Sequence, residues 1–180
     1  MNTTITIRQE LAQDRATVYE LIRAAFATVE ESDHGEQDLV ERLRQSPSFI
    51  PKLSLVAEIG PGELVGHILL TRVRIIRDAA SASPSLAVAP LSVAPSWQRL
   101  GVGSVLIREA HRRAAALGYG SAVLLGYPEY YRRFGYQPAG PQGIRFPFEA
   151  PADCCMAIEL LPGGLQGVKG EVVYDAAFGI

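Results

Sequence analysis

The sequence predicts a mixed α/β fold in which helices cover both faces of a central mixed β-sheet. Apolar residues alternate in some segments and recur at helical spacing in others, which gives the element order β-α-α-β-β-β-α-β-α-β-β. One helix joins two strands near the middle of this order, so these strands are predicted to be parallel, as in a right-handed crossover. With 180 residues, the chain is long enough to bury a sizeable core, and we expect a single domain over residues 1–180.

The strands before the central helix follow from local patterns. The first is predicted at residues 4–8, and a hairpin is predicted from residues 53–59 and 63–76, which flank a Gly-Pro-Gly turn. Residues 78–85 are rich in alanine and serine and are predicted to form a loop. The next strand, residues 86–93, contains Pro90 in its interior. Because proline cannot donate to a strand ladder, this position predicts a bulge or a sheet edge.

An apolar run, a glycine-containing loop and an amphipathic helix follow one another in residues 91–110. The run breaks at Pro95, the loop contains Gly101 and Gly103, and apolar residues then recur at helical spacing. At such a junction several backbone N–H groups point into one small space at the positive end of the helix dipole. Glycines let a ligand approach that backbone without meeting a Cβ atom. The loop is therefore predicted to bind an anion, a phosphate or pyrophosphate.

Two other phosphate-binding loops do not fit this segment. The dinucleotide-binding fingerprint requires a third glycine where Leu106 stands, and the P-loop requires a lysine where Ser104 follows Gly103. The remaining pattern is Gln/Arg-x-x-Gly-x-Gly, which begins at Gln98 and ends at Gly103. A strand at residues 122–126 then precedes the sequence YYRRFGY, in which Tyr131 lies four residues before a glycine.

Together, these two motifs resemble the acyl-CoA pyrophosphate loop and the Tyr-x-x-x-Gly-Phe/Tyr element of the GNAT superfamily of N-acetyltransferases. The order of elements is similar to that of the family over nearly the whole chain. The family usually has phenylalanine where this chain has Tyr136. The sequence GYPEYY at residues 126–131 further resembles a bacterial branch of predicted acetyltransferases.

The resemblance implies a GNAT-like acyl-CoA N-acyltransferase fold, with a splayed parallel strand pair in a mixed sheet flanked by helices. It implies a cofactor-binding core at about residues 86–137, C-terminal strands at about residues 152–176, and acetyl-CoA as the acyl donor. The fourth strand and the glycine loop would hold this donor. The predicted cofactor-binding residues are Leu91, Ser92, Val93, Gln98, Arg99, Leu100, Gly101, Val102, Gly103 and Ser104.

Tyr131 is the predicted general acid, because the family has its acid at this tyrosine. A tyrosine whose pKa is close to the ordinary value of ~10 stays protonated at neutral pH. It can donate its proton to a departing thiolate whose thiol has a pKa of ~8.5. Tyr130 is the alternative, since a slip of one residue on a short helix changes its direction by about 100°.

The group that takes the proton of the amine is left open by the sequence. A carboxylate or a histidine is required. The candidates are Glu30 or Glu31, in a loop that lines the acceptor pocket in the family, with His67, His34 and Glu129 as alternatives. Asp33 and Glu36 have the spacing of a capping box, so Glu36 is expected to cap the second helix.

The implied function is transfer of an acetyl group from acetyl-CoA to a primary amine by direct attack in a ternary complex. The acceptor could be a small amine, an amino acid, an aminoglycoside-like drug or a peptide N-terminus, and the acidic residues 30–33 favour a cationic one. The alternative is a non-catalytic acyl-CoA-binding or regulatory module of the same fold. A serine hydrolase is excluded because the chain contains no Gly-x-Ser-x-Gly elbow.

Composition and the N-terminal sequence limit the classes of binding partner that we expect and indicate a cellular compartment. The formal net charge of −2 gives no electrostatic basis for binding nucleic acid or an anionic membrane. The N-terminal sequence lacks the apolar core of a signal peptide, so a cytoplasmic protein is expected. The only cysteines, Cys154 and Cys155, are adjacent and lack metal-ligand spacing, so no metal is expected. The apolar residues 176–180 could pack against a second subunit, and the resemblance favours a homodimer.

Overall fold

The structure is a computed structural model that describes residues 4–180. The expectation that no leader peptide is present rests partly on residues 1–3, which lie outside the described part. The helices are α1 (Arg15–Phe26), α2 (Glu36–Arg44), α3 (Val102–Ala116) and α4 (Pro128–Tyr131). The strands are β1 (Ile5–Gln9), β2 (Ser54–Ile59), β3 (Leu64–Asp78), β4 (Ser81–Val93), β5 (Ser121–Leu125), β6 (Gln137–Pro138), β7 (Ile144–Arg145), β8 (Cys155–Glu159) and β9 (Gly170–Val173).

These strands form one mixed sheet, which confirms the predicted fold class. Along the sheet the order is β1-β2-β3-β4-β5-β8-β6, and β9 pairs with the far end of β3 and with β7. The β4–β5 pair is parallel, as predicted for strands joined through α3. The short strands β6 and β7, each two residues long, were not predicted from the sequence.

The predicted loop at residues 78–85 is wrong, because β3 and β4 form a long hairpin with its turn at residues 79–80. Small and polar residues in this stretch pair directly with apolar residues of β3, as Ser83 does with Ile75. Ser85 is fully buried, and its hydroxyl lies 2.8 Å from that of Ser121. A serine with a buried hydrogen-bond partner can occupy a strand interior, so composition alone was misleading here.

A β-bulge in β4 opens the centre of the sheet. Ile68 of β3 pairs with Leu91, whereas Leu70 pairs with Val88, so the extra residue of β4 lies around Pro90 as predicted. On its other side, β4 pairs with β5 only at residues 86 and 87. Residues 88–93 are therefore separated from β5, which gives the splayed strand pair.

Helices pack on opposite faces of this sheet. On one face α3 contributes Val102, Leu106 and Ala110 to a core that includes Leu55, Ile68 and Leu86. On the other face, Val18 and Ile22 of α1 and Val40 and Leu43 of α2 pack on Val56 and Leu69. The C-terminal segment covers the rest of this second face with Leu165, Val168 and Phe178. No helix within residues 4–180 combines the length and the hydropathy that crossing a bilayer requires.

Candidate active site

A cleft of about 1120 Å³ opens where β4 separates from β5. Its walls are residues 88–93 of β4, the loop before α3, the end of β5 with α4, and the C-terminal end of α1. Of the predicted cofactor-binding residues, the cleft is lined by Leu91, Ser92, Val93, Gln98, Arg99, Gly101, Gly103 and Ser104. A smaller cavity of about 490 Å³ near β6 and β8 contains none of the predicted residues.

Strand β4 divides this cleft into two sides. Leu91 and Val93 pack with the core beneath α3. Ser92 pairs with His67, whose other neighbour across the sheet is Val56 in the core beneath α1 and α2. Because successive strand residues point to opposite faces, Ser92 faces the α1 side and its neighbours face the α3 side.

On the α3 side, the loop exposes the start of the helix to the cleft. Arg99 and Gly101 both have positive φ, at 63° and 89°, so the chain turns sharply into α3. The first hydrogen bond of the helix runs from the N–H of Val105 to the carbonyl of Gly101 at 3.1 Å, so the preceding N–H groups have no intrahelical acceptor. Gln98 ties the loop to β4 by donating to the carbonyl of Val93 at 3.1 Å. This geometry suits a bound anion.

Two predicted cofactor-binding residues have side chains outside the cleft wall. Leu100 is 62% exposed to solvent, and Val102 is 1% exposed because it packs into the core. Only their backbones could contribute to the loop.

Tyr130 and Tyr131 both line the cleft, and their rings meet edge to face with centroids 4.9 Å apart. The Tyr130 hydroxyl stands over Gly103, and the Arg133 guanidinium lies 4.5 Å from the centre of its ring. Burial raises the pKa of the Tyr130 hydroxyl, and the nearby Ser104 and Arg133 partly offset this rise. Burial raises the pKa of Tyr131 well above its ordinary range, so Tyr131 keeps its proton at neutral pH.

Gly126 makes room for Tyr131, because a Cβ atom at residue 126 would overlap the tyrosine ring. On its other side Tyr131 packs edge to face against the fully buried Tyr136, with ring centroids 5.7 Å apart. The sequence contained a signal for this role of Gly126, since it directly precedes the tyrosine motif at the end of β5.

His67 does not line the cleft. It is fully buried in β3, and its Nε2 lies 3.1 Å from the hydroxyl of Ser54. That hydroxyl donates to Glu10 Oε2 at 2.7 Å, and Glu10 forms a buried ion pair with Arg44. Burial lowers the pKa of His67 to about 4, with smaller opposing effects of Glu10 and Arg44. The histidine is therefore neutral at neutral pH and belongs to a structural network.

Glu30 and Glu31 are exposed and lie outside the cleft wall. Glu31 reaches its rim indirectly, because it accepts a 2.7 Å hydrogen bond from the hydroxyl of Tyr127, which does line the cleft. His34 is also exposed, and its Nδ1 lies 3.0 Å from the carbonyl oxygen of Phe26. Among the alternatives that the sequence left open, Glu129 lines the cleft on the α4 side.

The predicted capping box of α2 is wrong, and this changes the position of Glu36. Gly35 occupies the N-cap, and Asp33 accepts a 2.9 Å hydrogen bond from the N–H of Gly35. Glu36 lines the α1 side of the cleft instead. Its Oε1 accepts a hydrogen bond from Ser32, and its Oε2 is buried without a hydrogen-bond partner in the described part of the chain.

The rest of the α1 side is apolar or aromatic. These cleft residues were not predicted from the sequence, and they come from α1, the loop that follows it and the end of β5. They are Ala25, Phe26, Val29, Leu125 and Tyr127. No local motif marks them. Within residues 4–180, no three or more His, Cys, Asp or Glu side chains are grouped so that they could hold a metal ion.

A splayed parallel strand pair with a helix N-terminus at the gap is the architecture of the acyl-CoA-dependent acyltransferases that the two motifs predicted. The sequence profile of the acetyltransferase (GNAT) domain matches residues 6–139. The chain therefore belongs to the GNAT family, and it is an N-acetyltransferase.

Several relatives are similar over most of the chain. The uncharacterized N-acetyltransferase YjhQ of Escherichia coli (strain K12) is 35% identical over 140 residues, which are 76% of each protein. The uncharacterized N-acetyltransferase YhbS of the same strain is 29% identical over 172 residues, or 96% of this chain and 97% of YhbS.

Two crystal structures of relatives have similar folds. Escherichia coli YhbS in complex with CoA superposes with a TM-score of 0.87 at 26% identity, covering 100% of this chain and 94% of YhbS. A GNAT family acetyltransferase from Brucella melitensis in complex with acetyl-CoA gives a TM-score of 0.78 at 32% identity, covering 98% of this chain and 99% of that one.

Proposed function

We propose that the protein transfers an acetyl group from acetyl-CoA to a primary amine, which attacks directly while both substrates are bound. One observation carries this proposal. The part of β4 that has no partner on the β5 side, the start of α3 and Tyr131 all line one cleft. The CoA and acetyl-CoA bound to the two relatives support the choice of donor.

The residues of this chain fit such a donor. The loop N–H groups at the start of α3 suit a pyrophosphate, and a Cβ atom at Gly101 would meet nothing within 4 Å, so the approach to this backbone is open. Residues 88–93 of β4 lack a strand partner on the β5 side and could pair with an extended chain of amide groups. Gln98, Arg99, Gly101, Gly103 and Ser104 would hold the anionic end.

Two groups of the chain then act on the transfer. Acetyl-CoA supplies an activated carbonyl carbon, and a free N–H on the open edge of β4 near Ser92 would stabilise the developing oxyanion. As the amine nitrogen bonds to this carbon, the carbon–sulfur bond breaks and Tyr131 gives its proton to the sulfur. The excess proton on the new amide nitrogen returns to Tyr131, so the tyrosine is unchanged after one turnover.

Calorimetric titration with acetyl-CoA tests the proposal, with native protein beside the variants Gly103→Glu and Ala116→Glu. We expect micromolar binding by the native protein and by Ala116→Glu, whose exposed charge lies at the far end of the same helix. Gly103→Glu puts a side chain and a negative charge into the loop and is expected to abolish binding. If the native protein does not bind acetyl-CoA, the proposed function is wrong.

A non-catalytic acyl-CoA-binding module is the alternative, and an assay of CoA thiol release in the presence of amines separates it from an enzyme. Such a protein would bind acetyl-CoA but would acetylate no amine, with or without Tyr131. Cytoplasmic localisation, a single domain over residues 1–180 and a homodimer remain predictions.

A further inference from the structure

We propose that Glu36 binds the acceptor as an ammonium ion and removes its proton, so that the acceptors are aliphatic primary amines that are charged at neutral pH. This inference rests on the proposed acetyl transfer. It assigns the base that the sequence left open, at a residue that the sequence assigned to a helix cap.

The first observation is the unpaired oxygen of Glu36. Its Oε1 is fixed by the hydroxyl of Ser32, while Oε2 is buried and makes no hydrogen bond to any group of residues 4–180. Removing a carboxylate oxygen from water without a partner is unfavourable, and a cationic or hydrogen-bonding ligand would remove this cost. Because Glu36 lines the cleft, this ligand would be bound there.

The second observation is the hydroxyl of Ser92. Ser92 is 1% exposed and lines the same cleft on the α1 side. Within the described residues, neither its hydroxyl oxygen nor Nδ1 of His67, which pairs with it across the sheet, has a hydrogen-bond partner. An ammonium group has three N–H donors and no acceptor. A carboxylate oxygen and a hydroxyl oxygen are acceptors of the kind that such a group requires, and Glu36 and Ser92 both line this cleft.

Charge and polarity around this side of the cleft also favour an aliphatic ammonium ion. Ala25, Phe26 and Val29 provide apolar contacts beside Glu36. In the preceding loop, Asp33 and His34 are exposed, and across the cleft stand Glu129, Tyr131 and Arg133. Arg133 stacks on the ring of Tyr130 beside α3, which keeps the positive charge on the anion-binding side.

Atoms and charges balance in the proposed transfer of a proton from the acceptor to Glu36. The ammonium ion R–NH₃⁺ gives one proton to the Glu36 carboxylate, which becomes a neutral carboxylic acid. The neutral amine forms the carbon–nitrogen bond as the carbon–sulfur bond breaks. The products are the acetamide, the free thiol of CoA and protonated Glu36, which loses its proton to solvent before the next turnover.

The test compares Glu36→Gln with the native protein and with Asp38→Asn as a matched control. Asp38 is an exposed acid on the same first turn of α2, outside the cleft. Release of the CoA thiol is followed with benzylamine, agmatine, spermidine, kanamycin and a short peptide with a free N-terminus. We expect the native protein and Asp38→Asn to acetylate at least one of these amines.

For Glu36→Gln, we expect the rate at pH 7 to fall by about 10² or more, as for the loss of a general base. Because hydroxide and the free amine become available at higher pH, this loss is expected to shrink by about tenfold per pH unit up to pH 9. A purely structural role of Glu36 would not give this recovery. Calorimetric binding of acetyl-CoA should be the same in all three proteins.

The results separate the two proposals. If native protein and Glu36→Gln both bind acetyl-CoA and acetylate the amines equally well, the inference about Glu36 is wrong and the proposed function stands. The inference is also wrong if the loss does not recover with pH, or if His34→Asn reproduces it and Glu36→Gln does not. A native protein that binds acetyl-CoA but acetylates none of these amines overturns both.

Discussion

The hydroxyl of Tyr130 stands so close over the Cα atom of Gly103 that a Cβ atom at residue 103 would overlap it. The tyrosine therefore contacts the start of α3 only because residue 103 is glycine. This contact couples the anion-binding loop to α4, the helix that also carries Tyr131.

A double-mutant cycle tests this coupling. We expect Gly103→Ala to lower the free energy of unfolding by about 1–3 kcal/mol, because the added methyl group overpacks the contact. In a Tyr130→Ala background the same substitution is expected to cost much less, since its obstacle is gone. Urea unfolding of the four proteins measures both costs, and equal costs in the two backgrounds would show that the contact is not the cause.

Tyr131→Phe is expected to slow amine acetylation by roughly 10² or more at saturating acetyl-CoA, because the departing sulfur loses its proton donor. Tyr130→Phe serves as the matched variant and is expected to retain most of the rate. Acetyl-CoA binding by calorimetry should be similar in both, since neither hydroxyl is required to hold the anionic end. The opposite order of rates would assign the acid to Tyr130.

The hydrogen bond between Tyr127 and Glu31 joins the loop before α2 to the end of β5 at the rim of the cleft. Because both partners are exposed, we expect Glu31→Gln to change the free energy of unfolding by less than about 1 kcal/mol. The KM for the amine is expected to change severalfold, whereas the KM for acetyl-CoA stays constant. Steady-state kinetics with each substrate varied in turn would detect the opposite result.

Acid is expected to destabilise the protein through two histidines. Burial lowers the pKa of both His67 and His111 from 6.5 to about 4. Between these two values the unfolded chain binds more protons than the folded protein, so stability is complete above about pH 6.5 and falls as the pH drops toward 4. The expected loss by pH 5 is about 2 kcal/mol for each histidine.

Urea unfolding at pH 7.5, 6 and 5 measures this dependence. His111, whose Nε2 lies 3.0 Å from the hydroxyl of Tyr136, can be replaced by asparagine to remove its titration. His111→Asn is then expected to have about half the native loss of stability between pH 7.5 and 5. If its pH dependence equals that of the native protein, His111 does not contribute.

Much of the fold could be predicted because its signals are local. The apolar period of α3, the glycines of the preceding loop and the proline in β4 lie within about two dozen consecutive residues. The serine-rich half of the long hairpin could not be predicted in this way. Its strand structure depends on pairing with β3 and on the hydroxyl of Ser121, which is 36 residues from Ser85 in the chain.

The candidate site was predictable on its α3 side and much less so on its α1 side. The spacing of Asp33 and Glu36 is compatible with a capping box, and only the folded structure, with Gly35 at the N-cap, shows that Glu36 lines the cleft. His67 was equally ambiguous. A histidine in an apolar strand can face a cleft or a buried network, and the partners that decide this, Ser54 and Glu10, lie far away in the sequence.

The two sides of the cleft come from different parts of the chain. Apart from Ser92, Leu125 and Tyr127, the α1 side is formed by residues 25–36, whereas the α3 side comes from residues 88–133. If Glu36 binds the acceptor as proposed, exchanging the short segment around it would redirect the enzyme to new amines while the donor side of the cleft stays unchanged.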